Sequence, residues 1–143
     1  MKYTSSLMAL SVLLLASCTA SVTSPKNADT KRDYVILVHG GAGNLERYQG
    51  DSAKCAQYLA ALDSALQIGR QSIENGAKGP EAVMTVIEYF EGNPLFNSGI
   101  GATVTAAGTF ELDAAIMEGK DLSAGSVAGV KHVKHPIRAA YAV

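Results

Sequence analysis

The sequence has few charged residues and no cluster of basic ones. Charged side chains make up 17% of the 143 residues, the formal net charge is −1, and no basic run is longer than the pair Lys31-Arg32. Proteins that bind nucleic acid or acidic membranes through charge carry a basic patch. The sequence therefore predicts no nucleic-acid partner. Its 48% of hydrophobic residues predicts a globular domain rather than a disordered chain.

Cysteine is also scarce, since Cys18 and Cys55 are the only two. Cys18 closes the sequence LASC, which follows a basic residue at Lys2 and an apolar run at residues 7–15. This pattern is typical of a secretory signal and is too short to span a bilayer comfortably. Its LASC ending resembles the lipobox of bacterial lipoproteins. We expect residues 1–17 to be a signal peptide that directs export to the periplasm. We also expect a lipid on Cys18 to anchor the protein to the membrane. The alternative is an ordinary cleaved signal peptide without lipidation.

The rest of the chain divides into a tether and a domain. Residues 18–33 are polar and aperiodic, which is typical of a flexible linker. The domain covers residues 34–143. It opens with YVILV at residues 34–38, an apolar run that predicts a strand buried on both faces of an α/β sheet.

Two helices are predicted next. The first begins at Asp51 or Ser52 and ends near Asn75, with Gly76 as the stop. The second begins at Gly79-Pro80-Glu81, because proline suits the first turn and an acid suits the positive helix end. Residues three or four apart are expected to be buried: Cys55, Tyr58, Leu59, Leu62, Ala65, Leu66, Gly69 and Ile73 in the first helix, and Val83, Val86, Ile87 and Phe90 in the second. Cys55 is therefore expected to be a buried, inert thiol.

The C-terminal part of the chain predicts strands and a third helix. Residues 103–107 and 110–117 predict a hairpin around Ala107-Gly108-Thr109. Residues 123–133 predict a further strand, whose small residues allow another layer to approach closely. Pro136 opens the third helix.

Two glycine-rich segments are candidates for a site. His39-Gly40-Gly41-Ala42-Gly43 follows the first strand and could form an anion nest, but it has neither the G-K-[ST] nor the G-x-G-x-x-G spacing of nucleotide loops. A phosphate-binding module remains an alternative. Residues 93–102 (NPLFNSGIGA), which we name the carbonyl loop, contain a proline and two glycines. They predict an irregular segment whose carbonyl groups need a partner.

Four segments in series resemble one known family: HGGAG at 39–43, PLFNSGIGA at 94–102, ELDAAIMEG at 111–119 and AGSVAGVKHVKHPIRAA at 124–140. They are similar to the plant-type L-asparaginases, also called isoaspartyl (β-aspartyl) peptidases. These are N-terminal-nucleophile hydrolases of αββα fold. The resemblance covers residues 34–143 and implies an α/β fold that is part of this sandwich.

The resemblance implies a precursor that cuts itself before a threonine to give an α and a β subunit, which pair as (αβ)2. The freed threonine attacks L-asparagine or β-aspartyl dipeptides with its own amine as the base, and no organic cofactor is needed. The family's G-T-[VI]-G-[AC]-V motif is absent from this sequence, and Gly108-Thr109 matches a turn instead. We therefore expect the nucleophile to lie beyond Val143 and this chain to be inactive alone.

The resemblance also implies roles for residues that are present. Asn97 matches a polar support beside the nucleophile, and His39, Gly40, Gly41 and Gly43 match a loop near the scissile bond. A structural sodium ion is implied, held by the main-chain carbonyls of Phe90, Glu91, Asn93, Phe96, Ser98 and Ile100.

Three other features have simpler interpretations. His132 and His135 have the spacing of a metal pair but lack a third ligand, so we expect two solvated histidines. Asp113 is expected to be a hydrogen-bonded structural carboxylate. The alternative function for the whole chain is a non-catalytic lipoprotein that uses this half-fold for binding.

Overall fold

The computed structural model of the chain describes residues 33–41 and 50–143. It contains the elements α1 (Ser52–Glu74), α2 (Gly79–Glu91), a 3-10 turn (Gly99–Gly101), β1 (Leu112–Met117), β2 (Ala124–Val130) and α3 (Pro136–Ala142). Mixed helices and strands agree with the predicted α/β class. The predicted signal peptide, the tether up to residue 32, the lipidation site Cys18 and the glycine Gly43 lie outside the described residues.

The ends of α1 are set by local chemistry. The Asp51 carboxylate accepts a hydrogen bond from the Lys54 amide at 2.8 Å, which satisfies one of the free donors of the first turn. At the other end Gly76 takes φ +91°, a conformation that a residue with a side chain rarely adopts. Both predicted boundaries of α1 are confirmed.

The two long helices pack through small residues. Ala61, Ala65 and Gly69 form the buried face of α1. A Cβ atom at Gly69 would lie 3.0 Å from Val86 Cγ2, so the glycine lets α2 approach closely. This face belongs to a cluster of buried side chains: Ala61, Ala65, Val86, Phe90 and Phe96.

The buried faces of α1 and α2 are narrower than predicted. Leu59 is 68% exposed, Val83 is 49% exposed and Cys55 is also exposed. The expectation that Cys55 is a buried thiol is therefore wrong. These residues have helical spacing, but they lie on the more exposed sides of the two helices. Periodicity alone does not report which side of a helix is buried.

Residues 34–38 do not form the predicted strand. They belong to no β-ladder among the described residues, and Val35 and Leu37 are 67% and 90% exposed. Ile36 and Val38 point the other way, toward α1 and the core cluster. The segment therefore has one covered side and one open side. The prediction of burial on both faces is wrong. A strand is buried on both faces only inside a sheet, and the sheet among the described residues consists of β1 and β2 without residues 34–38.

The observed hairpin joins β1 to β2. The strands are antiparallel, with Ala115 opposite Ser126 and an irregular register between Leu112 and Ala114. The hairpin predicted around Gly108 is wrong, since residues 103–107 are not a strand. They enter a turn in which the Thr105 amide donates to the Thr109 carbonyl at 2.8 Å. Gly108-Thr109 is thus part of a turn, as the family resemblance implied.

Helix α3 covers one side of this hairpin. Ile137 is 2% exposed and Ala140 is fully buried. A Cβ atom at Gly125 of β2 would lie 2.0 Å from the Ala140 carbonyl oxygen, so the strand and the helix meet at a distance that only glycine permits. This confirms the expectation that small residues in β2 allow a second layer. None of the described helices is long and apolar enough to cross a bilayer.

Candidate functional site

The carbonyl loop begins where α2 ends, and it continues as a series of tight turns. The Asn93 amide donates to the Phe90 carbonyl at 3.1 Å, and the Phe96 amide donates to the Asn93 carbonyl at 3.2 Å. The Asn93 side chain accepts a third bond from the Leu95 amide at 3.0 Å. These local bonds replace the helical ladder that Pro94 interrupts.

Two glycines let the loop backbone lie directly on carbonyl groups. Gly99 has φ +52°, and a Cβ atom there would lie 2.1 Å from the Glu91 carbonyl oxygen. A Cβ atom at Gly101 would lie 2.1 Å from the Phe96 carbonyl oxygen. Neither position has room for a side chain. The loop therefore needs glycine at both positions to keep these carbonyl groups close to its own backbone.

The chemistry of the carbonyl groups bears on the hard cation that the resemblance implies. Four carbonyl groups of the implied ligand set each accept one backbone hydrogen bond, of 2.8 to 3.2 Å, which leaves a second lone pair on each oxygen: Phe90 at the end of α2, and Asn93, Phe96 and Ser98 in the loop. The carbonyl of Leu95, which is not in the implied ligand set, instead accepts a bond from the Tyr58 hydroxyl at 2.9 Å. Main-chain oxygens are ligands that hard cations such as sodium accept. Among the described residues no group of three His, Cys, Asp or Glu side chains could hold a metal.

Phe96 anchors the loop in the core. Its side chain is 5% exposed and its ring meets the Phe90 ring edge-on, with centroids 4.6 Å apart. The Tyr58 ring of α1 lies 5.9 Å away in the same T-shaped arrangement. Sequence reasoning selected Phe96 only for its carbonyl, although an aromatic residue between Pro94 and Gly99 was the available sign of an anchor.

Asn97 follows this anchor and is exposed. Its Oδ1 accepts a hydrogen bond from the Thr103 amide at 2.8 Å, which joins the carbonyl loop to the segment after it. This bond fixes the orientation of the side-chain amide. No described residue bonds the Nδ2 group, so it can still donate two hydrogen bonds.

The start of the HGGAG segment lies against the same anchor. A Cβ atom at Gly40 would lie 3.3 Å from both the Phe96 ring and Leu62 Cδ2, so Gly40 permits close packing on Phe96. His39 is exposed, and its Nδ1 accepts a bond from the Gly41 amide at 3.1 Å. The structure thus brings this segment and the carbonyl loop together. Because the Gly41 amide already has a partner, one donor of the supposed anion nest is in use.

The carboxylates of Glu91 and Glu88 join α2 to α3. Glu91 is 3% exposed, and its carboxylate contacts His135 Nδ1 and the Ile137 amide, both at 3.0 Å. Arg138 binds Glu88 through both its Nε and Nη2 groups. The hydrogen bond from Arg138 holds the pKa of Glu88 below its ordinary value, and Glu88 raises the pKa of Arg138 in return. Sequence reasoning missed the buried Glu91 carboxylate, since no local pattern announces a contact between residues 46 positions apart.

His135 and Asp113 make structural contacts, whereas His132 is exposed. His132 is exposed, as expected, but His135 is only 22% exposed and is paired with Glu91, so the expectation that it is solvated is wrong. Asp113 accepts a bond from the Gly129 amide at 2.7 Å, which confirms a hydrogen-bonded structural carboxylate.

Two cavities among the described residues lie away from Asn97 and His39. An open groove of about 550 Å³ lies between the C-terminal turn of α1 and the start of α2. A second cavity of about 180 Å³ lies between the hairpin and α3. Neither of these two cavities is lined by Asn97 or His39.

The asparaginase family model matches residues 32–143. The chain therefore belongs to the asparaginase family, which the four motifs in series predicted.

Individual relatives agree with this assignment. The chain is 44% identical over 106 residues to an isoaspartyl peptidase of Salmonella typhimurium, a match that covers 74% of this chain and 34% of that protein. It is 39% identical over 105 residues to a plant-type L-asparaginase of Pyrococcus horikoshii, covering 73% and 33%. An isoaspartyl peptidase/L-asparaginase of Mus musculus is 32% identical over 127 residues, covering 88% and 37%. The chain thus spans about a third of the length of the curated relatives it matches.

Proposed function

We propose that this chain is the N-terminal part of a threonine-dependent hydrolase that acts on L-asparagine and on β-aspartyl (isoaspartyl) peptides. The main support is the match to isoaspartyl peptidases and plant-type L-asparaginases across the part of the chain that holds the carbonyl loop. The nucleophilic threonine belongs to a portion of the protein beyond Val143. Autoproteolysis before that threonine releases it as an N-terminus.

The chemistry divides between the two portions. The threonine hydroxyl attacks the side-chain carbonyl of the substrate while its own α-amine, with an ordinary pKa near 8, accepts the proton. The C–N bond then breaks, ammonia or a peptide amine leaves, and water hydrolyses the ester to regenerate the threonine. The contribution of this chain is Asn97, whose Oδ1 is held by Thr103 and whose Nδ2 donors are available beside the reacting group.

We further propose that the carbonyl loop binds one sodium ion. The ligands are the six main-chain carbonyls of Phe90, Glu91, Asn93, Phe96, Ser98 and Ile100. The ion supplies positive charge to carbonyl dipoles that the two glycines hold close to the loop backbone. It supports the loop that carries Asn97 and takes no part in the bond changes.

The remaining portion of the protein completes the αββα sandwich in this proposal. The open side of residues 34–38, with Leu37 90% exposed, is apolar surface that a neighbouring strand would cover. The completed α and β subunits then pair as (αβ)2. Export to the periplasm and a lipid anchor on Cys18 place the enzyme at the membrane.

The test is hydrolysis by the complete protein from its natural source and by the 143-residue chain alone. We expect the complete protein to release ammonia from L-asparagine or leucine from β-aspartyl-leucine, and the chain alone to release neither. A folded, complete protein that is inactive on both substrates would contradict the proposed function. Activity of the chain alone would contradict the assignment of the nucleophile to another portion.

The alternative, a non-catalytic lipoprotein that binds a partner, draws on the same exposed apolar residues. It requires that the reading frame stop after Val143, whereas the enzyme requires a continuing frame with a Gly-Thr-Val-Gly sequence. A phosphate-binding module is less well supported, because His39 already uses the Gly41 amide. Nucleotide titration should give no saturable binding.

A further inference from the structure

Glu91 contacts two parts of the fold, one through its main chain and the other through its side chain. Its peptide carbonyl lies against Gly99, where a Cβ atom would be 2.1 Å from the oxygen and 2.7 Å from the carbonyl carbon. Its side chain points to the start of α3 and binds the Ile137 amide and His135. One residue therefore joins the end of α2, the carbonyl loop and α3.

The carboxylate has a fixed position. It is 3% exposed, and a buried carboxylate is stable only when its oxygens accept hydrogen bonds. Each oxygen has one partner at 3.0 Å: Oε1 accepts from the Ile137 amide and Oε2 contacts His135 Nδ1. Because Ile137 is itself 2% exposed, the partner of Oε1 is held by the packing of α3 on the hairpin.

We propose that the Glu91 carboxylate is a positioning residue for the sodium site, because it holds the Glu91 peptide in place through α3. This inference rests on the proposed sodium site. A carboxylate held at α3 restricts the last peptide of α2, and that peptide is the one on which Gly99 packs. Groups that orient metal ligands without touching the metal act in this way, and their loss typically weakens metal affinity about 10- to 100-fold.

Glu88 provides a matched control. It also lies on α2 and also binds α3, through Arg138. Its side chain is 21% exposed and that of Arg138 is 69% exposed, so this pair is less buried than the Glu91 carboxylate, which is 3% exposed. Removal of Glu88 breaks a contact between the same two helices without altering the peptide that meets the carbonyl loop.

The experiment is calorimetric titration of the complete protein with sodium chloride against choline chloride at constant ionic strength. We expect Glu91→Ala to weaken sodium binding about 10-fold or more, as expected for loss of an orienting group. Glu91→Gln keeps an acceptor for the Ile137 amide and should retain most of the affinity. Glu88→Ala should bind sodium like the wild type. Urea midpoints without sodium separate a general loss of stability from a loss of affinity.

The outcomes are distinguishable. Equal sodium affinity in the wild type and in a folded Glu91→Ala variant would overturn the role of the carboxylate and leave the sodium site in place. Equal weakening by Glu88→Ala would also overturn it, since any contact between α2 and α3 would then suffice. No saturable binding by the wild type would overturn both proposals for the loop. If Glu91→Ala does not fold, His135→Ala takes its place, because it removes one of the two partners of the carboxylate. Weaker sodium binding by His135→Ala than by Glu88→Ala would then support the role of the carboxylate, and equal binding would overturn it.

Discussion

Replacing Gly99 with alanine tests the geometry of the carbonyl loop most sharply. The substitution should lower the stability of the fold for two separate reasons. The backbone has φ +52°, where an L-residue is less stable than glycine by about 1–2 kcal/mol. The added Cβ atom would also lie 2.1 Å from the Glu91 carbonyl oxygen, so the loop must shift, and overpacking of this kind costs about 1–3 kcal/mol. We expect Gly99→Ala to destabilise the fold by about 2–5 kcal/mol in total.

Two other glycines separate these costs. Gly108 has φ +75°, but a Cβ atom there would have no neighbour within 4 Å, so Gly108→Ala has the conformational cost alone. Gly101 is outside the left-handed region, but its Cβ atom would lie 2.1 Å from the Phe96 carbonyl oxygen, so Gly101→Ala has the steric cost alone. Gly99→Ala should therefore lower the free energy of unfolding more than either Gly108→Ala or Gly101→Ala.

The assay is urea unfolding followed by circular dichroism, with the free energy of unfolding obtained by linear extrapolation. All variants are compared at one protein concentration, because self-association would make the midpoints depend on concentration. Equal destabilisation of Gly99→Ala and Gly108→Ala would show that the loop backbone does not lie against the Glu91 carbonyl, which would contradict the geometry described for the loop.

Three further predictions concern the Phe96 anchor, the Glu88–Arg138 ion pair and Asn97. Phe96→Ala removes a buried aromatic ring and should destabilise the fold by about 3–5 kcal/mol in urea unfolding, and a loss below about 1 kcal/mol would contradict its role as the anchor. Because Arg138 lowers the pKa of Glu88, the pair stabilises the fold fully above the ordinary value of 4.5, and this contribution is lost as the pH falls through the lowered pKa. The difference in urea midpoint between the wild type and Glu88→Gln should therefore shrink below that pH, and a constant difference would contradict the assignment. Asn97→Asp keeps an acceptor for the Thr103 amide but loses the Nδ2 donors, so in the complete enzyme it should abolish most hydrolysis without changing stability; unchanged hydrolysis would show that these donors are not used.

Helix boundaries could be predicted because their causes are local. The Asp51 side chain bonds an amide three residues away, and Gly76 ends α1 with its own backbone conformation. Glu81 accepts a bond from the Lys78 amide at 2.8 Å in the same local way at the start of α2. Each of these signals lies within a few residues of the boundary that it sets.

The partners of the extended segments could not be predicted, because they depend on contacts between distant residues. Residues 110–117 do contain β1, but its partner is β2 across the loop at 118–123, and the turn at Gly108 is not a hairpin between strands. Residues 34–38 have an apolar sequence that does not report how many of their sides are covered. In both cases the local pattern indicates an extended chain and leaves its neighbours undetermined.

The local structure of the candidate site could be predicted from the sequence, but its long-range contacts could not. The proline and glycines of the carbonyl loop indicated an irregular segment with carbonyls in need of partners, and its tight turns agree with that. The contact of Gly40 with the Phe96 ring and that of Glu91 with Ile137 join residues far apart in sequence. They follow from the packing of α1, α2 and α3 and have no signature in either segment alone.

Under the proposed function, this chain belongs to an enzyme whose nucleophile is a threonine freed by self-cleavage. The most direct test is N-terminal sequencing and intact-mass analysis of the complete protein purified from its natural source. We predict two polypeptides, one of which contains the carbonyl loop while the other begins with threonine. A single uncleaved polypeptide, or a second chain that begins with any other residue, would contradict the claim.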